Sequence, residues 1–151
     1  MLVTRKDHAL TNHFLPGYWP HAMLYLCQAA ALEQLGITDH DNSRRRWSRL
    51  VGLYPAEPRR VLEAQKDGVQ LRSLDACFGC TYVAVIRPRL SQGDIAVALA
   101  RALLHEGKPY DFDFTRSDRL VCTEVLCRAY EGIVGIAFEL TRRAGRMTLG
   151  A

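Results

Sequence analysis

Between Arg60 and Leu74 the chain reads RVLEAQKDGVQLRSL, two largely apolar runs joined by Lys66-Asp67-Gly68. An Asp-Gly pair between such runs supplies the positive φ that a tight turn needs, so Arg60–Ala64 and Val69–Leu74 are expected to pair as a β-hairpin. Further strands are read at Leu2–Arg5, at His21–Cys27 and at Thr81–Arg87. The second alternates, with His21, Met23, Tyr25 and Cys27 on one side and Ala22, Leu24 and Leu26 on the other. The third, TYVAVIR, is β-branched and apolar enough for a central strand. Helices are expected at Gln28–Leu35, closed by Gly36, at Ser91–His105 and at Cys122–Tyr130. In the Ser91–His105 segment Ile95, Ala98, Leu99, Ala102 and Leu103 form an amphipathic face, and Asp94 suits the positive end of the dipole. His8–Leu15 reads as a short helical turn stopped by Pro16-Gly17, Ile136–Leu140 as a strand or a helix end, and Thr38–Pro58 as an excursion over the surface. Together these elements make an α+β domain with a mostly antiparallel sheet flanked by helices.

A chain of 151 residues is enough for one compact domain. The expectation is a single domain over 1–151, with the question open whether it is cut from a longer protein. Its 48% hydrophobic and 24% charged residues match a soluble globular composition. No apolar run approaches the roughly 20 residues that a membrane crossing takes. The start, MLVTRKDHALTNHF, lacks the apolar stretch of a signal peptide, and the five cysteines lack the spacing of a disulfide scaffold. A reducing, cytoplasmic setting is therefore expected. The net charge of +4 is modest, and Arg44, Arg45, Arg46 and Arg49 beside Trp47 read as a solvated helix face rather than a nucleic-acid interface.

Chemistry concentrates at three residues. Cys122 opens a helix-like run, where unsatisfied backbone N–H groups and the helix dipole lower a thiol pKa. A cysteine nucleophile needs a base within reach and a third polar group to orient that base; His21 and Glu63 are the candidates. Glu63 interrupts an apolar strand, where a buried carboxylate is costly unless paired. The pattern alone also fits a core cysteine, a half-exposed strand-end histidine and a solvent-facing carboxylate. Cys77 and Cys80, in CFGC, have the spacing of half a zinc site or a redox pair, but no second CxxC follows and no thioredoxin-like βαβ pattern precedes them, although Cys127 and His105 could be recruited by the fold. No metal and no cofactor is expected.

Four segments, PGYWPHAMLYL, VLEAQKDGVQLRSL, GKPYDFDF and VCTEVLCRAY, occur here in that order. In this the chain resembles the permuted papain-like amidases, the YaeF/YiiX-like branch of the NlpC-like superfamily, from about Phe14 to Tyr130. The histidine motif precedes the cysteine motif, and the cysteine opens a helix as Cys122-Thr123-Glu124. The resemblance implies a circularly permuted papain-like fold and a cysteine hydrolase with Cys122 as nucleophile, His21 as general base and Glu63 as the residue orienting it. It implies acyl transfer through a thioester, with the backbone N–H of Cys122 as oxyanion donor. Tyr110 and Asp111 match a motif beside the cleft, for which a simple turn is the plainer reading. Tyr18 and Trp19, beside His21, are candidate substrate-binding residues that could form an apolar wall for an acyl chain, with packing under the sheet as the plainer reading. An amide or peptide substrate comes first; a lipid-directed thioesterase or acyltransferase comes second, and a non-catalytic binding module of the same fold third. Two departures bear on specificity: no Gly-Asp pair leads into the first strand, and the stretch from Cys27 to Pro58 is long.

Overall fold

The computed structural model describes residues 1–9, 18–52, 59–111, 120–143 and 146–149, with side chains up to residue 139. Five strands form one antiparallel sheet: β1 (Leu2–Arg5), β2 (His21–Cys27), β3 (Arg60–Gln65), β4 (Gly68–Ser73) and β5 (Tyr82–Val85), in the order β4-β3-β2-β1-β5. The Asp-Gly hairpin is present, in register from Arg60 opposite Ser73 to Gln65 opposite Gly68. Gly68 has φ +98°, and a Cβ there would stand 2.6 Å from the Lys108 carbonyl oxygen, so both conformation and space require glycine. The turn is tied down by reciprocal backbone bonds, Val69 N–H to Lys108 O and Gly107 N–H to Val69 O, each 2.8 Å.

Alternation along the strands divides the sheet into two faces. On one, Ala22, Leu24, Leu26, Leu62, Ala64, Val69 and Leu71 pack with α5 (Gln92–Leu103) and α6 (Cys122–Tyr130) in the main core. On the other, Leu2, Met23 and Val61 pack with Leu74 of the short helix α4 (Leu74–Cys77). α5 carries the expected apolar face, and its N-cap is Ser91, whose Oγ accepts the Asp94 N–H at 3.1 Å. α1 (Ala29–Gln34) ends before Gly36, which takes φ +72°.

Four expectations change. The stretch read as a surface excursion contains a 3-10 turn at Ile37–Asp39, α2 (Asp41–Arg44) and α3 (Trp47–Gly52), held inward by fully buried Ile37 and Leu50. Arg46 and Arg49 of this stretch reach the buried Glu106 at 3.7 and 3.1 Å, so only part of the arginine cluster is a solvated face. TYVAVIR yields an edge strand, not a central one: among the described residues β5 pairs with β1 alone, and Tyr82, Val83 and Val85 are exposed. Residues 136–139 are neither strand nor helix, and regular structure resumes in β6 (Leu140–Arg143), which pairs with β7 (Arg146–Leu149). Of the expected turn at His8–Leu15, His8 lies in a turn and residues 10–15 fall outside those described; so do 53–58 of the Thr38–Pro58 stretch.

Candidate active site

β2 pairs with β1 at His21–Met23 and with β3 from Leu24 onward. The first turn of α6 meets β2 at its start. Val121 is the N-cap, and its N–H donates to Glu124 Oε2 at 3.0 Å, which closes one of the open donors of the helix end. Cys122 is the first helical residue and is buried at 6% exposure. Its sulfur is hydrogen-bonded to the His21 ring and accepts from the backbone N–H groups of Ala22 and Thr123.

His21 stands between two acceptors. Its Nε2–H donates to Glu63 Oε2 at 2.7 Å, which leaves Nδ1 for the Cys122 sulfur. Glu63 is 1% exposed, and alternation along β2 and β3 puts it on the same face of the sheet as His21. Its other oxygen, Oε1, accepts from Gln65 Nε2 at 2.7 Å and from the Cys77 thiol at 3.5 Å, and Arg72 Nε stands 2.8 Å away.

Charge follows from this geometry. Burial opposes a cation at His21, but the hydrogen bonds to Cys122 and Glu63 and their negative charges outweigh it, raising the ring from 6.5 to about 10. Burial likewise opposes a carboxylate at Glu63, yet the His21 bond and charge, the Gln65 bond and the Arg72 charge bring it below 4.5. Cys122 is lowered from 9.0: burial works against the thiolate, and the His21 bond and charge with the Ala22 and Thr123 N–H groups overcome it. Both shifts act in favour of a thiolate–imidazolium pair over a neutral one. Two other thiols go the opposite way: Cys77 is pushed up to about 12 by burial and then by the Glu63 charge, and Cys127 to about 12 by burial and then by Glu131 and Glu124.

The remaining sequence candidates fall around this centre. Tyr110 forms a parallel bridge with Leu120, two residues before Cys122; Asp111 N–H donates to Leu120 O at 3.3 Å and Leu120 N–H to Pro109 O at 3.1 Å. The GKPYD motif is thus a bridge flanking the cysteine rather than a simple turn. Asp111 is buried, and the Tyr110 hydroxyl is pushed up to about 12 by burial and then by the charges of Cys122 and Asp111. Tyr18 and Trp19 do not pack under the sheet. They are 55% and 37% exposed, stacked edge to face at 5.1 Å, with Arg5 4.6 Å over the Tyr18 ring and bonded to the Tyr18 carbonyl at 2.9 Å. Arg5 holds this segment at the rim, immediately before His21. Tyr82 of the edge strand lies 6.5 Å from Tyr18.

Sequence reasoning missed the shell around Glu63, namely Gln65, Arg72 and Cys77. A signal existed for two of them. Gln65 follows Glu63 by two residues, and the hairpin register sets Arg72 opposite Val61, on the face that Glu63 shares. Cys77 is brought in by α4, which nothing local announces. Among the described residues no group of three or more His, Cys, Asp and Glu could hold a metal ion, and no helix is long and apolar enough to cross a membrane.

A family model described as permuted papain-like amidase enzyme, YaeF/YiiX, C92 family, matches residues 1–150. No curated protein and no solved structure matches the chain.

Proposed function

We propose that this chain, which belongs to the permuted papain-like amidase family, cleaves an amide bond through a thioester on Cys122. The observation that carries the reading is the position of the His21 ring, bonded on one side to Glu63 at 2.7 Å and on the other to the Cys122 sulfur. A thiolate already paired with an imidazolium attacks a carbonyl carbon without first losing a proton. The carbonyl oxygen becomes an oxyanion beside the N–H of Cys122, a donor worth on the order of 3 kcal/mol in such a transition state. His21 then gives its Nδ1 proton to the leaving amine as the C–N bond breaks. Water, deprotonated by His21, attacks the thioester and releases the acid, which restores the thiolate and the imidazolium. Throughout, Glu63 fixes the plane and tautomer of the ring.

Tyr18 and Trp19, exposed at the rim beside His21, are the surface against which a substrate rests, with Tyr110 and Asp111 on the Cys122 side. A peptide or small amide fits this reading first. The exposed Tyr18, Trp19 and Tyr82 rings favour a second, in which a lipid-directed thioesterase or acyltransferase lays an acyl chain across them.

The test is the rate of Cys122 alkylation by iodoacetamide against pH, read by peptide mass spectrometry, in wild type and in His21→Ala. The expected result is a plateau that extends well below the free-thiol pKa of about 8.5 and disappears in the variant. Slow labelling that ignores His21 would make Cys122 a structural cysteine and the chain a binding module.

A further inference from the structure

Glu63 is a carboxylate that water scarcely reaches, and only one of its oxygens faces His21. A carboxylate held by His21 alone would be free to rotate about its last bond and, when buried, would tend to take up a proton. What prevents both acts on Oε1. Gln65 and Cys77 donate to it, and both are neutral donors; the Cys77 thiol, pushed up to about 12, keeps its proton. Among the described residues, Arg72 is the one cation beside Oε1. Its Nε lies 2.8 Å from Oε1 but out of line for a hydrogen bond, so its hold is one of charge. The Arg72 side chain is itself held, since its terminal nitrogen donates to Asp67 Oδ1 at 2.6 Å. Asp67 belongs to the tight turn whose conformation Gly68 makes possible. From the exposed turn to the nucleophile, charges therefore alternate: Asp67 negative, Arg72 positive, Glu63 negative, His21 positive, Cys122 negative.

We propose that Arg72, seated by Asp67, is a positioning residue of this site, holding Glu63 ionised and turned so that Oε2 serves His21. The inference rests on the functional reading above for its consequence in catalysis, but its geometry does not require Cys122 to be a nucleophile. The titratable groups facing the Glu63–His21 pair are Cys122 from α6, Cys77 from α4 and Arg72 from β4. Asp67 stands behind Arg72, and Tyr110 is within electrostatic range of Cys122.

The sign of one measurement separates a positioning role from a bystander charge. Removing a nearby cation makes an imidazolium easier to form, so a bystander Arg72 would raise the His21 pKa when lost, or leave it unchanged. A positioning Arg72 does the reverse, because a Glu63 that protonates or swings away withdraws the anion that raises the ring. The experiment is the titration of the His21 ring by NMR in Cys122→Ala, which silences the thiol, combined in turn with Arg72→Met, Arg72→Lys and Asp67→Asn. Arg72→Met is expected to lower the His21 midpoint by about one pH unit, tenfold in the protonation constant. Arg72→Lys should recover part of that shift, and Asp67→Asn should move it the same way by less. A midpoint that stays or rises in a folded Arg72→Met protein overturns the proposal. If that variant does not fold, Asp67→Asn at the exposed turn decides it by the same criterion. Failure of the hydrolase reading looks different: His21-independent labelling of Cys122 in the wild type, with the His21 midpoint still falling on loss of Arg72.

Discussion

In the thiolate–imidazolium form proposed above, the His21–Cys122 pair holds one proton in the folded chain, on the ring, and that form has a consequence for stability that either residue alone would not have. In the unfolded chain His21 titrates near 6.5 and Cys122 near 9.0. Below 6.5 the unfolded pair binds two protons against one in the fold, so stability rises with pH. Between 6.5 and 9.0 both states hold one, and the pair contributes no slope. Above 9.0 the unfolded chain loses its last proton while the folded ring keeps its own to about 10, and stability falls. Cys122→Ala leaves only the ring, whose raised pKa stabilises the fold below 6.5 and is lost progressively above it. Urea denaturation of the two proteins against pH should therefore show the wild type gaining on the variant through the 6.5 to 9.0 window. Parallel curves would mean that ring and sulfur do not share a proton.

At the scale of elements, the β3–β4 hairpin carries Glu63 and everything that steadies its far oxygen except Cys77. Gly68→Ala forces an unfavourable φ and a contact of 2.6 Å with Lys108 O, and should cost about 3 kcal/mol in denaturant unfolding. A loss below about 0.5 kcal/mol would show that the turn can relax away from Lys108. This hairpin was also the most legible element, because Asp-Gly dictates a turn by local sterics and the turn dictates the register. Edge and centre are another matter. The run TYVAVIR suits either position, and what makes β5 an edge is that no strand among the described residues lies beyond it, a matter of tertiary arrangement. The helices from Asp41 to Gly52 were hidden for a similar reason, since their anchors, Ile37 and Leu50, are far apart among polar residues. Of the candidate site, His21, Glu63 and Cys122 were found by their motifs, and Gln65 and Arg72 followed from a register already in hand. Cys77 and the nearness of Tyr110 to the cysteine depend on how α4 and the Leu120 bridge fold back, and no local pattern encodes that.

Across the whole molecule, the sheet supplies His21 and Glu63 and the helical layer supplies Cys122, so the site forms only when α6 docks at the start of β2, a docking held by the core of Leu24, Leu62, Leu99, Leu103 and Val125. Leu62, at 0% exposure, adjoins Glu63 in β3 but faces that core. Leu62→Ala should cost about 3 kcal/mol in chemical denaturation and, by loosening the layers, slow Cys122 alkylation at pH 7. Full destabilisation with unaltered alkylation would show that the site is insulated from the core. The order of the parts along the chain matters as well. The ring and its carboxylate emerge from the ribosome before the cysteine does, and the cysteine acquires its partners only when α6 docks against β2. Until then it is an ordinary thiol, protonated at neutral pH. On the proposed reading, a nascent or misfolded copy is thus chemically quiet toward the amides and esters around it, and completion of the fold is itself the activation step.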